Sequence, residues 1–181
     1  MIAYKGFEKG LICRGYQFSM GLNVTEKANC GRNGFHCASN PVDCLVHYPN
    51  IRTSVYYLVD AGGDLDEDNQ DSKISCTELT VLKELDVEQL LLHGLAYMVD
   101  HPLLPWSGRV SRDHAKAQGG YAIVRGPDPA AKGELGDILA LARESELGDR
   151  IEEVALSRVD GEDILPNVWY GIDWKERRVL P

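Results

Sequence analysis

Apolar and polar residues alternate along much of this 181-residue chain, a pattern that predicts short β-strands. Two apolar segments, Ile2–Phe7 and Leu11–Phe18, flank a turn-like EKG and predict a hairpin. Residues 53–61 are rich in β-forming side chains and predict a central strand. The alternation over Lys73–Leu85 slips once near Glu78, which indicates a bulge in that strand.

Two helices are predicted in the first hundred residues. The first follows a strand-like GFHC, with Asn40 as its cap and Pro41 in its first position. Asp86 begins the second, and Gln89 three residues later completes a capping-box pattern. Two polar stretches, over residues 21–33 and 62–71, are predicted to be loops.

The character of the chain changes after His101. Residues 102–118 have no clean period and predict an irregular connection, and residues 119–181 predict further short strands. The expected fold is α+β, with a short-stranded mixed or antiparallel sheet, two helices and a β-rich C-terminal part. We expect an N-terminal domain over residues 1–101, with the C-terminal part either separate from it or packed with it as one unit.

Charge is unevenly distributed over a chain whose net charge is −9. The first 56 residues carry six basic and three acidic side chains, whereas residues 57–88 carry two basic and ten acidic ones. Such an acidic band argues against direct contact with nucleic acid. No apolar run predicts a membrane span and no secretory signal is visible, so a cytoplasmic protein with reduced cysteines is expected.

Two metal sites suggested by residue type fail on spacing. Cys30, Cys37 and Cys44 lie seven residues apart, unlike the close ligand pairs of zinc sites, so they are expected to be small buried residues. The acidic run from Asp64 has Asn69 where a calcium-binding EF-hand requires glycine. We therefore predict an exposed acidic loop and no metal.

One enzymatic alternative uses NAD. Enzymes that transfer ADP-ribose from NAD hold it with an early Arg or His, aromatic rings over the nicotinamide, and a later Glu that stabilises the ribose cation. Arg14, His36 and Glu78 follow that order, with Tyr48 as one of several aromatic candidates. Each of these residues also has an ordinary explanation as an ion-pair, surface or core residue.

Three motifs resemble a known family: YKGF at residues 4–7, CRGYQF at 13–18 and NGFHCASNPVDCLVHY at 33–48. The family occurs mostly in bacteriophages and prophages and is catalogued as a domain of unknown function. The resemblance covers roughly residues 2–95. Longer relatives carry solenoid-like repeats, which implies one such coil around residues 119–133. The family's Ala-Cys order is reversed here at Cys37-Ala38, which suits a packing residue better than a metal ligand.

The resemblance and the acidic band together suggest a phage- or prophage-encoded accessory protein. It would act in the cytoplasm of a bacterial host by binding a host protein or protein–nucleic-acid complex, for example as an inhibitor of an immune system such as CRISPR. No cofactor is expected, apart from NAD under the enzymatic alternative, and a virion or assembly protein is a second alternative. The expected binding residues are Asp64, Asp66, Glu67, Asp68, Asp71 and Trp106.

Overall fold

The computed structural model describes residues 1–29, 32–67 and 72–179. The chain forms two compact units, Met1–Leu90 and Leu91–Pro181. Strands dominate both units, and the described residues include two α-helices, which confirms the expected α+β class. Cys30, Asp68 and Asp71, which carry sequence-based predictions, lie outside the described residues.

Among the described residues, the N-terminal unit contains seven strands in one sheet, together with a 3₁₀ turn at Pro41–Asp43. In chain order the strands and the first helix are β1 (Ile2–Glu8), β2 (Ile12–Cys13), β3 (Tyr16–Gln17), β4 (Gly21–Val24), β5 (Phe35–Ala38), α1 (Cys44–His47), β6 (Ser54–Glu67) and β7 (Lys73–Leu85). Strands β1 and β7 each pair antiparallel with both β5 and β6, so these four strands form a closed ring of pairings.

The core of this unit follows from alternation along the paired strands. Ala3 and Phe7 of β1 are fully buried, and Val59 of β6 and Cys76 of β7 are buried in the same apolar cluster. Burial of the larger of these side chains, Phe7 and Val59, contributes about 1.5–3 kcal/mol each. The order of the strands therefore fixes which side chains of β1 and β5 lie at the edge of the core.

Three segments differ from the sequence-based predictions. The segment Leu11–Phe18, predicted as one strand, is the β2–β3 hairpin, because Arg14 and Gly15 have φ of 49° and 78° and reverse the chain. The predicted loop at residues 21–33 contains β4, and the predicted acidic loop continues β6 as far as Glu67. In both, pairing with β7 satisfies the backbone of a polar sequence.

The predicted helix caps are confirmed. Asn40 Oδ1 accepts from the Val42 amide at 3.0 Å at the start of the 3₁₀ turn, which continues into α1. The amides of Asp86 and Gln89 exchange hydrogen bonds with each other's side chains, at 3.1 and 2.8 Å. This reciprocal box begins α2 (Val87–Asp100), in which Leu91 is among the buried residues.

A bulge is present at the predicted level of the sheet, but it lies in β6 and not in β7. The register of β6 against β7 shifts between Gly62 and Leu65, opposite Cys76–Glu78, so β6 carries one extra residue. Gly63 has a φ of +68°, and a Cβ there would overlap the Thr77 hydroxyl. That hydroxyl accepts from the Asp64 amide at 2.8 Å. A bulge in β6 does not shift the phase of β7, whose own extra residue lies between Val81 and Lys83, opposite Leu58 and Val59.

The C-terminal unit contains a five-stranded mixed sheet among its described residues. Its strands are β8 (Ser111–Lys116), β9 (Tyr121–Lys132), β10 (Ile138–Glu144), β11 (Ile151–Arg158) and β12 (Tyr170–Gly171). Strand β9 pairs parallel with β8 and β10 and antiparallel with β12, and β10 pairs antiparallel with β11.

Two expectations for this unit change. The predicted irregular connection at residues 102–118 contains β8. The sequence of β8 is polar and does not alternate in hydrophobicity, so only its pairing with β9 shows that it is a strand. The segment expected to form a solenoid-like coil, residues 119–133, contains β9, and no solenoid is defined among the unit's described residues. Neither described helix is long and apolar enough to cross a membrane.

Alanine at Gly63 should destabilise the N-terminal unit by about 2–3 kcal/mol, because a left-handed backbone and a steric overlap both oppose the new Cβ. The matched control is Gly10→Ala. Gly10 has a φ of +83° with nothing within 4 Å of the point where a Cβ would lie, so only about 1 kcal/mol should be lost. Urea denaturation followed by hydrogen exchange of the β6 and β7 amides measures both losses. Equal losses would show that the bulge is not sterically constrained.

Candidate functional site

A cleft of about 610 Å³ lies in the N-terminal unit, and we call it the N-terminal cleft. It is bordered by β1, β5, the β2–β3 hairpin, α1 and the start of β7. Its lining comprises Tyr4, Lys5, Gly6, Glu8, Cys13, Arg14, Tyr16, Phe18, Thr25, Gly34, Phe35, His36, Cys37, Ala38, Asp43, Cys44, His47, Tyr48 and Lys73. Aromatic rings and cationic side chains therefore share one concave surface.

Lys5 is the most unusual residue of the cleft, because it is a lysine with only 4% of its surface exposed. Its Nζ donates to the His36 carbonyl at 2.5 Å and lies 5.2 and 5.3 Å from the ring centroids of Phe7 and Phe18. Cys13 Sγ is 3.6 Å away. Among the described residues, no carboxylate forms an ion pair with this ammonium. Ring contacts and a carbonyl partly offset the cost of burying its charge.

The charge of the cleft is opposite in sign to that of the whole chain. Its lining includes three cations, Lys5, Arg14 and Lys73, against two carboxylates, Glu8 and Asp43. The Asp43 carboxylate accepts a hydrogen bond from Ser72 Oγ at 2.6 Å. In a protein of net charge −9, this local excess of positive charge favours an anionic ligand.

Tyr48 forms one wall of the cleft directly beside β1. A Cβ added to Gly6 would lie 2.5 Å from the Tyr48 ring, so only glycine allows the ring to pack this closely on the strand. The Tyr48 carbonyl accepts a hydrogen bond from the Tyr56 hydroxyl at 2.5 Å, which anchors the end of α1 to β6. Pro49 follows Tyr48 immediately, and because proline cannot continue a helix, α1 ends just before Tyr48.

The Tyr48 hydroxyl donates to Cys13 Sγ at 3.0 Å. Burial and this hydrogen bond raise the pKa of Tyr48, so the hydroxyl keeps its proton at neutral pH. Cys13 is half-buried at the end of β2 and lines the cleft. Its sulfur therefore has a hydroxyl donor on one side and the Lys5 ammonium nearby.

His36 lies on β5, half-buried in the lining. Burial lowers the pKa of His36, and the positive charges of Lys5, Arg14, Lys73 and His47 lower it further. The imidazole is therefore neutral at physiological pH. An anion bound among these cations would raise the pKa of His36 again, because its negative charge would offset theirs.

The other described thiols are buried. Burial raises the pKa of Cys44 to about 12, and the pKa of Cys37 is raised by its hydrogen bond with Cys76 and by burial. Cys76 is fully buried, and its Sγ donates to the Phe35 carbonyl at 3.4 Å. The expectation that Cys37 and Cys44 are small buried residues is confirmed.

The structure brings two of the three residues proposed for NAD chemistry to one place. Arg14 and His36 both line the N-terminal cleft. Glu78 does not: it is exposed on β7, where it is paired with Val24 of β4 and Gly62 of β6. The carboxylates that line the cleft are those of Glu8 and Asp43.

The predicted acidic surface is only partly described. Asp64, Asp66 and Glu67 are exposed at the end of β6, and Asp68 and Asp71 lie outside the described residues. No group of three or more His, Cys, Asp and Glu side chains is arranged to hold a metal ion within the described ranges.

Trp106 lines a separate cavity of about 410 Å³ in the C-terminal unit. Its ring centroid is 5.2 Å from the Arg112 guanidinium and 4.7 Å from that of Arg125. Arg125 and Glu144, each with 3% of its side chain exposed, form an ion pair of 2.7 Å. Arg112 lies 3.2 Å from the other Glu144 oxygen, within ion-pair distance but not aligned for a hydrogen bond. Trp106 is therefore packed against a partly buried charge network.

Lys5 and Cys13 are site residues that were not predicted from the sequence. Lys5 had a signal, because it lies in phase with Ala3 and Phe7 on a strand whose alternate positions are apolar. The pairing of Gly6 with Tyr48 joins positions 42 residues apart and had no local signal. Cys13 was marked only by its presence in the CRGYQF motif.

The part of the chain that contains the cleft matches a protein family whose function is unknown. The model of the domain of unknown function DUF7666 matches residues 1–93, about half of the chain. The chain belongs to this family, and the N-terminal cleft lies wholly within the matched residues. No curated protein and no solved structure matches the chain.

Lys5→Met tests whether Lys5 serves ligand binding or the fold. Methionine fills a similar volume and removes a buried charge, so the free energy of unfolding should rise or fall by no more than about 1 kcal/mol. Phe7→Ala, at the next inward position of β1, is the control and should cost about 3–5 kcal/mol. The measurement is urea denaturation with hydrogen exchange of β1. A loss for Lys5→Met as large as the control would identify Lys5 as a structural residue.

Proposed function

We propose that the N-terminal unit binds a phosphorylated ligand with an aromatic ring, of the nucleotide class, in the N-terminal cleft. The observation that carries this proposal is Lys5, a buried ammonium without a carboxylate partner among the described residues. A buried charge is stabilised when an opposite charge pairs with it, and a ligand phosphate would supply that charge.

The rest of the lining supports the same ligand class. Arg14 extends from a hairpin turn and can present its planar guanidinium to a phosphate, and Lys73 adds a third positive charge. The ring of Tyr48, held against Gly6, offers a flat surface on which an aromatic base or nicotinamide can stack. A volume of about 610 Å³ is in the usual range for small-molecule sites.

NAD is the member of this class that we put forward. Arg14, His36 and Tyr48 all line the cleft, whereas Glu78 lies outside its lining. The lining residues therefore support binding of NAD but not, by themselves, transfer of its ADP-ribose. Transfer of ADP-ribose would need Glu8 or Asp43 to stabilise the positive charge that develops on the ribose as nicotinamide leaves.

Isothermal titration with ADP-ribose and NAD at low salt tests the proposal. Arg14→Gln should weaken binding about tenfold, which corresponds to about 1.4 kcal/mol, because a charge-assisted hydrogen bond to phosphate is lost. Arg52→Gln is the control, since Arg52 is an exposed cation of the same unit outside the cleft lining.

A second measurement in the same titration locates the ligand. Binding of the phosphates should raise the pKa of His36, followed by NMR, because the anion offsets the cations that lower it. Absence of binding at millimolar ligand, or equal weakening by the Arg14 and Arg52 variants, would contradict the proposal.

A different function, recognition of a host macromolecule, is favoured by the exposed acidic end of β6. Asp64, Asp66 and Glu67 project from a strand end that is exposed throughout. We propose that a phage- or prophage-encoded accessory role would use this surface to meet a basic groove on a bacterial protein, as an inhibitor of host immunity does.

Reversal of Asp64, Asp66, Glu67 and Asp68 to lysine should abolish capture of such a partner from a bacterial host. The partner is identified by mass spectrometry, and its retention by the unchanged protein should fall steeply with salt. Reversal of four exposed acids of the C-terminal unit, Glu152, Glu153, Glu162 and Asp163, changes the net charge equally and should leave capture intact. Loss of capture in both variants would mean that only net charge matters.

A further inference from the structure

The cleft also contains a nucleophile in a setting that the proposed binding function does not require. Cys13 is the described thiol that is half-buried, whereas Cys37, Cys44 and Cys76 are buried. It lines the N-terminal cleft, so a bound molecule can reach its sulfur. A thiol that is partly exposed in an electropositive setting is the kind that reacts.

Two donors converge on this sulfur. The Tyr48 hydroxyl lies 3.0 Å from Cys13 Sγ and the Lys5 ammonium 3.6 Å from it. Both are themselves fixed, Tyr48 by its packing on Gly6 and Lys5 by its bond to the His36 carbonyl. Negative charge on the sulfur is stabilised by this arrangement without any movement of the side chains.

The positive charges around the sulfur also favour a reaction partner that is an anion. Arg14 is the residue that follows Cys13, and Lys73 lies in the same lining. An electrophile that carries a carboxylate or phosphate would be attracted into the cleft and oriented by these cations. A neutral electrophile would gain nothing from them.

We propose that Cys13 is a nucleophile that forms a covalent bond with an anionic carbon electrophile held in the N-terminal cleft. The sulfur lone pair forms the new S–C bond, the leaving group departs with the bonding electrons of the carbon, and the thiol proton passes to solvent. Tyr48 and Lys5 act as positioning residues that stabilise the sulfur anion. Reaction at Cys13 uses the same cleft as the proposed nucleotide binding but does not depend on it.

The test compares two alkylating probes of the same size and different charge, iodoacetate and iodoacetamide. It uses the full chain with Cys30→Ser, so that the thiol outside the described residues does not contribute. Peptide mapping should find Cys13 modified first. The ratio of the iodoacetate rate to the iodoacetamide rate should be several-fold higher than for free N-acetylcysteine, because the cleft attracts the anion.

Three variants separate the contributions. Tyr48→Phe should slow both probes by about tenfold, since one hydrogen bond to the charged sulfur is lost. Arg14→Gln should lower the rate ratio towards that of the free thiol, and Arg52→Gln should leave both rates and their ratio unchanged.

Preferential labelling of another cysteine, or a Cys13 rate ratio equal to that of N-acetylcysteine, would overturn the inference. So would a Tyr48→Phe variant that reacts as fast as the unchanged protein. The Cys13→Ser variant keeps this outcome distinct from the proposed function. If Cys13→Ser binds ADP-ribose but is not alkylated at position 13, both conclusions stand. If the protein that keeps Cys13 is alkylated there but binds no nucleotide, only the proposed function is removed.

Discussion

The buried ammonium of Lys5 is the constraint around which the N-terminal cleft is arranged. It occupies an inward position of β1, between Ala3 and Phe7, where an apolar side chain would fill the core. Its charge is accommodated because the His36 carbonyl accepts a hydrogen bond from the ammonium and two aromatic rings lie beside it. Buried charges cost stability, and the absence of a carboxylate partner for Lys5 among the described residues is therefore the feature that supports our proposal of a ligand site.

The closed pairing of β1, β5, β6 and β7 explains why this charge can be held in place. Each of the four strands is fixed on both sides, so His36 cannot move away from Lys5 without breaking pairs at β1 or β7. The bulge at Gly63 lets the long β6 and β7 ladder curve while its apolar residues stay inside. A rigid surround of this kind pre-organises the cleft, which reduces the entropy lost when a ligand binds.

Local signals in the sequence were sufficient for much of the fold. Asn40 and Asp86 are short-range signals, and the caps they predict are present. The phase slip near Glu78 predicts a bulge in β7, whereas the extra residue at that level lies in β6. The polar segments that became β4 and the end of β6 were missed because their strand character comes from pairing with β7, and periodicity carries no information on pairing. Arg14 and His36 were identified by residue type, but the exclusion of Glu78 from the cleft depends on strand order.

Position in the chain connects the candidate site to the family and not to the C-terminal unit. The family match ends at residue 93, close to the boundary of the N-terminal unit at Leu90, and every lining residue of the cleft precedes both. The C-terminal unit has its own buried pair, Arg125 and Glu144, but there each charge meets an opposite charge within the protein. Since paired buried charges are explained by the fold itself, Lys5 is the stronger indication of ligand binding. Function is therefore to be sought first in the unit that the family shares, at the cleft where the positive charge is left uncompensated among the described residues.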